Sequence, residues 1–177
     1  MQSYMRIEQW FHAHGSDVHH FLVYYVGHAN VEDLVQEVFL KALRGIDRYE
    51  GRANPRTWLF SIARHVAIDH ERKESARRQL FSRLAKDAPE PNRTELDEIF
   101  LQQEELRTAY RLIRKLKRSY RDVLLLRILQ EFTVEETAEL LKWSKVRVNV
   151  TLHRSLRKLR DLYAKQEGGF DLASDEG

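Results

Sequence analysis

Apolar residues along this chain recur at steps of three and four with no sustained alternation, the period of helices rather than strands. Val18, Phe21, Leu22, Tyr25 and Val26 form one such stripe, and Asp17 just before it predicts a helix start there. Val31, Leu34, Val35, Val38, Ala42 and Leu43 form the next, with Asn30 as the expected cap and Asp33 at the third position. Asn54 followed by Pro55 reads as a cap plus a first-turn proline, opening a long helix that buries Trp58, Leu59, Ile62, Ala63 and Val66. From Lys86 to Arg93 the period disappears and Pro89 and Pro91 intervene, which predicts a linker.

Beyond it, Thr94 is expected to start a helix through Ile99, Leu106, Ala109, Tyr110 and Ile113. Ser119 with Asp122 predicts a start before Val123 to Leu129, and Thr133 with Glu136 a short helix over Val134, Ala138 and Leu141. Ser144 opens the last helix, whose inner side is Val148, Leu152, Ser155, Leu156 and Leu159. A short helix, a tight turn and a longer basic helix make a helix-turn-helix candidate. The expected fold class is therefore all-α: two small helical domains joined by a linker, the second a helix-turn-helix. The expected boundaries are 1–85, a linker over 86–101, 102–165 and an acidic tail over 166–177.

Composition narrows the setting. With 32% charged residues and no Cys, the chain can form neither a disulfide nor a thiolate metal site, which suits a reducing cytoplasm. No apolar run approaches the roughly 18 residues of a membrane span, and no signal peptide opens the chain, so no membrane insertion is expected. The net charge of +3 conceals an alternation. Residues 1–51 hold 4 Lys/Arg against 7 Asp/Glu, 52–93 hold 10 against 5, 94–109 hold 1 against 5, and 110–160 hold 14 against 5. Two basic blocks set apart by an acidic strip suit a polyanion gripped at two places, although a mixed-charge helical surface would read the same by composition.

Three surfaces carry candidate chemistry. On the last helix Arg147, Val150, His153, Arg154 and Arg157 fall opposite the apolar side, and between Arg147 and Arg160 there are five Lys/Arg and no acid. Arginine suits phosphate and guanine, and a valine amid cations suits thymine methyl groups, the bland alternative being one harmless exposed valine. On the second helix Asp33, Gln36, Glu37 and Arg44 point outward around Leu40, an apolar anchor in a polar ring that fits a protein partner unless another segment covers it. The aromatic, cationic stretch from Tyr49 to Asn54 leads into a helix whose expected outer side is Thr57, Ser61, Arg64, Ile68 and Arg72, with His65 near its seam, and could hold an unpaired strand. Trp58 reads there as core rather than as a base platform. The chain has no HExxH, Walker loop or nucleophile elbow, and His65 and His70 lie five apart on different helix sides. No catalytic residue, metal, cofactor or small-molecule substrate is expected.

Two blocks of sequence resemble a known family. Glu32-Asp33-Leu34-Val35-Gln36-Glu37-Val38-Phe39-Leu40 and Thr57 to Asp69 resemble the first conserved domain of extracytoplasmic-function (ECF) sigma factors of the sigma-70 family. Arg121 to Arg127, Glu135 to Leu141 and Leu152-His153-Arg154 resemble its second. The likeness covers roughly residues 10 to 163 and is strongest to the sigma-X branch found in bacilli. It implies a cytoplasmic, non-enzymatic subunit that directs core RNA polymerase to promoters and assists their opening in envelope stress response, under an anti-sigma factor. By resemblance, Asp33, Gln36, Glu37 and Leu40 dock on the polymerase. Tyr49, Arg52, Asn54, Arg64, His65 and Arg72 serve minus-ten DNA, and Lys145, Arg147, Asn149, Val150, His153, Arg154 and Arg157 serve minus-thirty-five DNA. Lys142 stands where the usual turn glycine would be, Val146-Arg147-Val148 replaces the common start of the last helix, and His65 replaces an asparagine frequent in the family. The competing readings are a helix-turn-helix regulator that binds DNA without polymerase and a helical adaptor using the Leu40 patch.

Overall fold

The computed structural model describes residues 2–28, 30–51, 53–84 and 104–171. Seven α-helices appear among them: α1 (Gln2–Val26), α2 (Glu32–Gly45), α3 (Pro55–Leu84), α4 (Glu104–Lys115), α5 (Arg118–Leu124), α6 (Val134–Leu141) and α7 (Lys145–Asp171). No strand occurs among the described residues. The chain divides into two compact units, one carrying α1 to α3 and the other α4, α5, α7 and most of α6. The expected linker and the start at Thr94 lie outside the described residues, as do the last residues of the expected tail.

In the first unit α1, α2 and α3 pack against one another in pairs. Phe21, Leu22, Tyr25, Val38, Leu59, Phe60 and Val66 are fully buried where they meet. Phe21 and Phe60 touch edge to face at 5.3 Å between centroids, an arrangement favoured by their ring quadrupoles. Pro55 opens α3 as expected: the Asn54 side-chain oxygen accepts the Arg56 amide at 2.9 Å.

Two predicted starts in this unit do not hold. Helix α1 runs unbroken through Asp17, because half-buried Trp10 and buried Ile7 extend the stripe about two and three turns upstream of Val18 and the single Gly15 is tolerated. Asp17 instead faces Arg56, 3.8 Å away. Helix α2 begins at Glu32, after Val31 rather than Asn30, with no side-chain cap, and the buried Val31 carbonyl accepts from the Val35 amide at 2.9 Å. The predicted outer side of α3 is corrected at Thr57 and Ile68, both buried because α1 and α2 cover α3 from two directions.

In the second unit α7 packs on α4 and α5. Val123, Leu125, Leu126, Phe132 and Val148 are buried, as are Leu112 of α4 and Leu116 just past its end. Helix α5 starts after Lys117, again without a side-chain cap, so Ser119 and Asp122 lie inside it. Asp122 is buried within α5 and does not cap its start. The run Leu125–Leu129 widens into a π-turn closed by the Gln130 amide on the Leu125 carbonyl at 3.0 Å. Arg127 closes the turn further by donating to the Phe132 carbonyl.

Candidate nucleic-acid interface

The helix-turn-helix frame is set by three local devices. Thr133 and Glu136 form a reciprocal capping box: Glu136 accepts the Thr133 amide at 2.8 Å, and Thr133 Oγ1 accepts the Glu136 amide at 3.1 Å. Lys142 ends α6 in the left-handed region at φ 56, and the Trp143 amide reaches back to the Ala138 carbonyl at 2.9 Å. That is the Schellman arrangement with lysine in the position that favours glycine. Ser144 Oγ then accepts the Arg147 amide at 3.2 Å and starts α7.

With α7 so fixed, Val148 and Ser155 turn inward and are buried, the Ser155 hydroxyl donating to the Leu152 carbonyl at 2.8 Å. Arg147, Asn149, Val150, His153, Arg154 and Arg157 are all exposed, as predicted. Leu156 is not part of the inner side: it is 44% exposed, since its direction falls between the covered stripe and the basic face. Arg147 and Lys145 are held by neighbours. The Arg147 guanidinium lies 3.9 Å from the Trp143 ring centroid, and Lys145 pairs with Glu135 at 2.7 Å. The hydrogen bond from Lys145 holds the Glu135 carboxyl below its ordinary value. Val146, which the sequence reading did not choose, is 72% exposed at the head of α7, one helical turn before Val150 at 42%. Its spacing of four from Val150 was the available signal.

The first unit carries the other two surfaces. On α2, Asp33, Gln36 and Arg44 are exposed, and Leu40 is 52% exposed, uncovered by any described segment of its own unit. Glu37 is tied to Lys41 at 3.0 Å, one turn on. At the end of α2 the chain approaches α3 closely: a Cβ on Gly45 would meet the Trp58 ring at 3.3 Å. Tyr49 follows, and it is not a free stacking platform. Its ring lies 5.3 Å from Trp10 and 5.1 Å from Trp58, Arg6 sits over both Trp10 and Tyr49, and its hydroxyl donates to the Ala53 carbonyl. Burial pushes the Tyr49 phenol pKa up, with Arg6 opposing.

Tyr49 thus closes a clasp over the turn at Gly51, whose φ of +71 few side chains tolerate. Trp58 is half-buried in the same aromatic cluster, as expected of a packing residue. Arg52 lies outside the described residues. Asn54 is exposed but engaged as the α3 cap. Arg64 is half-buried, and Arg72 is exposed with Asp69 3.8 Å away. His65 is exposed, and its Nδ1 sits 2.6 Å from the Ser61 carbonyl. A carbonyl only accepts, so Nδ1 carries the proton and the neutral ring keeps its lone pair on Nε2. Trp10 and Arg6 escaped the sequence reading, although their spacing of four puts them on one side of α1.

Comparison with known proteins agrees with this architecture. Residues 10–77 match the family Sigma-70 region 2, and residues 106–159 match Sigma-70, region 4. The chain is 38% identical over 148 residues to the ECF RNA polymerase sigma factor SigX of Bacillus subtilis, covering 81% of this chain and 76% of that protein. It is 36% identical over 138 residues to the RNA polymerase sigma factor YlaC of the same organism, covering 73% and 75%. Among solved structures, the sigma factor RpoE of Bartonella quintana, determined with the anti-sigma factor NepR, matches with a TM-score of 0.70 at 20% identity, over 89% of this chain and 96% of that one. CnrH, determined with the cytosolic domain of CnrY, matches with a TM-score of 0.65 at 21% identity, over 90% and 88%. Both share the fold. The two helical units, in this order and each matching its own conserved region, place the chain among the ECF RNA polymerase sigma factors of the sigma-70 family.

Proposed function

We propose that this chain binds core RNA polymerase and directs it to promoters with two separated elements, assisting opening at the downstream one. The observation that carries the reading is the outward face of α7: Arg147, Val150, His153, Arg154 and Arg157 stand exposed on a helix fixed by its caps and by packing on α4 and α5. A major groove about 12 Å wide admits such a helix. Arginine supplies the donor fork for guanine or phosphate, and Val150 with Val146 offers methyl contact to thymine. Lys145 and Asn149 would contact the flanking backbone.

The loop from Tyr49 to Asn54, with Arg52, Arg64, His65 and Arg72, is assigned to the minus-ten strand. Tyr49 acts there by holding the loop in shape, while the lone pair of His65 on Nε2 suits a base amino group. Asp33, Gln36, Glu37 and Leu40 form the polymerase-facing patch, an exposed apolar anchor in a polar ring. The working boundaries are 1–85 for the polymerase and minus-ten part, 86–101 for the linker, 102–165 for the minus-thirty-five part and 166–177 for the tail. The chain brings no catalytic residue to phosphodiester synthesis.

Regulation by an anti-sigma factor and a role in envelope stress belong to the same reading, as does a cytoplasmic location. Among the described residues no helix is long and apolar enough to cross a membrane. The polymerase assignment is tested by Leu40→Asp: affinity for core polymerase should fall at least tenfold, and equal affinity would refute the placement of the patch.

A further inference from the structure

His28 and His70 are separated by 42 positions, yet their Nε2 atoms lie 3.3 Å apart. His28 stands two residues past the end of α1, just after Gly27, and His70 lies on α3, so the pair bridges two elements of the first unit. Both rings are half-buried, with centroids 5.4 Å apart and planes at 62°. The two Nε2 atoms face each other, one able to donate and the other to accept when the rings hold opposite tautomers.

The separation is informative. At 3.3 Å one ring can donate to the other, and the same separation admits a second arrangement. Two imidazole nitrogens each about 2.0 to 2.1 Å from one tetrahedral ion stand roughly 3.3 Å apart, which is the separation found. A metal ion would use the lone pairs of both nitrogens at once, whereas a hydrogen bond uses one lone pair and one N–H. Imidazole ligands suit zinc, copper and nickel rather than magnesium or calcium.

We propose that His28 and His70 form a two-histidine site for a divalent transition metal, clipping the end of α1 to α3. The described residues contain no set of three or more His, Cys, Asp or Glu placed to hold an ion, so this pair supplies two ligands and water completes the shell. Such a site is open, of moderate affinity and reversible. Because it binds the folded unit more tightly than the unfolded chain, occupancy raises the stability of α1 against α3. The inference is independent of the DNA and polymerase assignments.

The test is titration of the full chain with zinc chloride by calorimetry, in thiol-free buffer, together with cobalt absorption to report coordination geometry. Uptake of one ion per chain is expected, accompanied by a rise in thermal midpoint. His70→Gln and His28→Gln should each weaken it at least tenfold, whereas His12→Gln and His19→Gln should leave it unchanged. Absence of one-to-one uptake by the unaltered protein would overturn the proposal whatever the variants do. Equal affinity in a His70→Gln protein that melts like the original without metal would overturn it too. A response of the two rings to pH but not to zinc would identify a hydrogen-bonded pair instead.

Discussion

The loop from Tyr49 to Asn54 and the helix beginning at Lys145 both precede or carry cationic side chains, but different forces hold them. The loop is fixed by rings: Trp10, Trp58 and Arg6 surround Tyr49, whose hydroxyl ties it to Ala53. The helix is fixed by backbone chemistry, through the Thr133 and Glu136 box, the left-handed Lys142 and the Ser144 cap. An irregular segment makes few backbone hydrogen bonds of its own and borrows rigidity from aromatic area, whereas a helix needs only its ends and one buried stripe. A shaped loop suits an unpaired base, and a straight helix suits a duplex groove.

The largest effect expected is on the core of the first unit. Phe60→Ala removes a fully buried ring that meets Phe21 and should cost the first unit about 3 to 5 kcal/mol. Hydrogen exchange should register the loss in α1 to α3 and leave protection in α5 and α7 unchanged. Next comes Arg154→Ala, expected to lose about 1 to 3 kcal/mol of discrimination at the upstream element with the downstream element still selected, read by promoter competition with the polymerase-bound protein. Equal loss at both elements would erase the distinction between the surfaces.

Two smaller substitutions separate the devices themselves. Tyr49→Phe keeps the ring but deletes the bond to Ala53, and Thr133→Ala deletes one half of the capping box. Each should cost about 1 kcal/mol, the first read as lower melting of promoter DNA and the second as a lower thermal midpoint. Lys142→Gly has the opposite sign: relief of a left-handed lysine should stabilise the second unit by about 1 kcal/mol. The smallest effect concerns Glu135, held below its ordinary value by Lys145. A lowered carboxylate contributes stability above its ordinary range and loses it as pH falls through the lowered value. The slight midpoint deficit of Glu135→Gln near neutrality should therefore vanish in acid, and a deficit that persists there would contradict the pairing.

Much of this was legible in the sequence because helical period and capping chemistry are local. The α3 cap at Asn54, the Thr133 and Glu136 box and the outward side of α7 all follow from residues within a turn of each other. Asp17, Asn30 and Ser119 misled for a complementary reason: a cap residue is also an acceptable helix or loop residue, and burial of Ile7, Val31 and Asp122 decided the starts. Thr57 and Ile68 were placed outward because period alone does not reveal that α3 is covered from two directions. The clasp on Tyr49 and the meeting of His28 with His70 depend on chain segments about 40 positions apart, which spacing cannot bring together.

The most direct measurement is transcript start mapping with purified core polymerase, in the presence and absence of this chain. The account predicts initiation at two-element promoters only when the chain is added, with upstream-element dependence lost in Arg154→Ala and polymerase association retained. Polymerase that gains no start-site selection from the chain, or a chain that never associates with polymerase at any salt concentration, would contradict it.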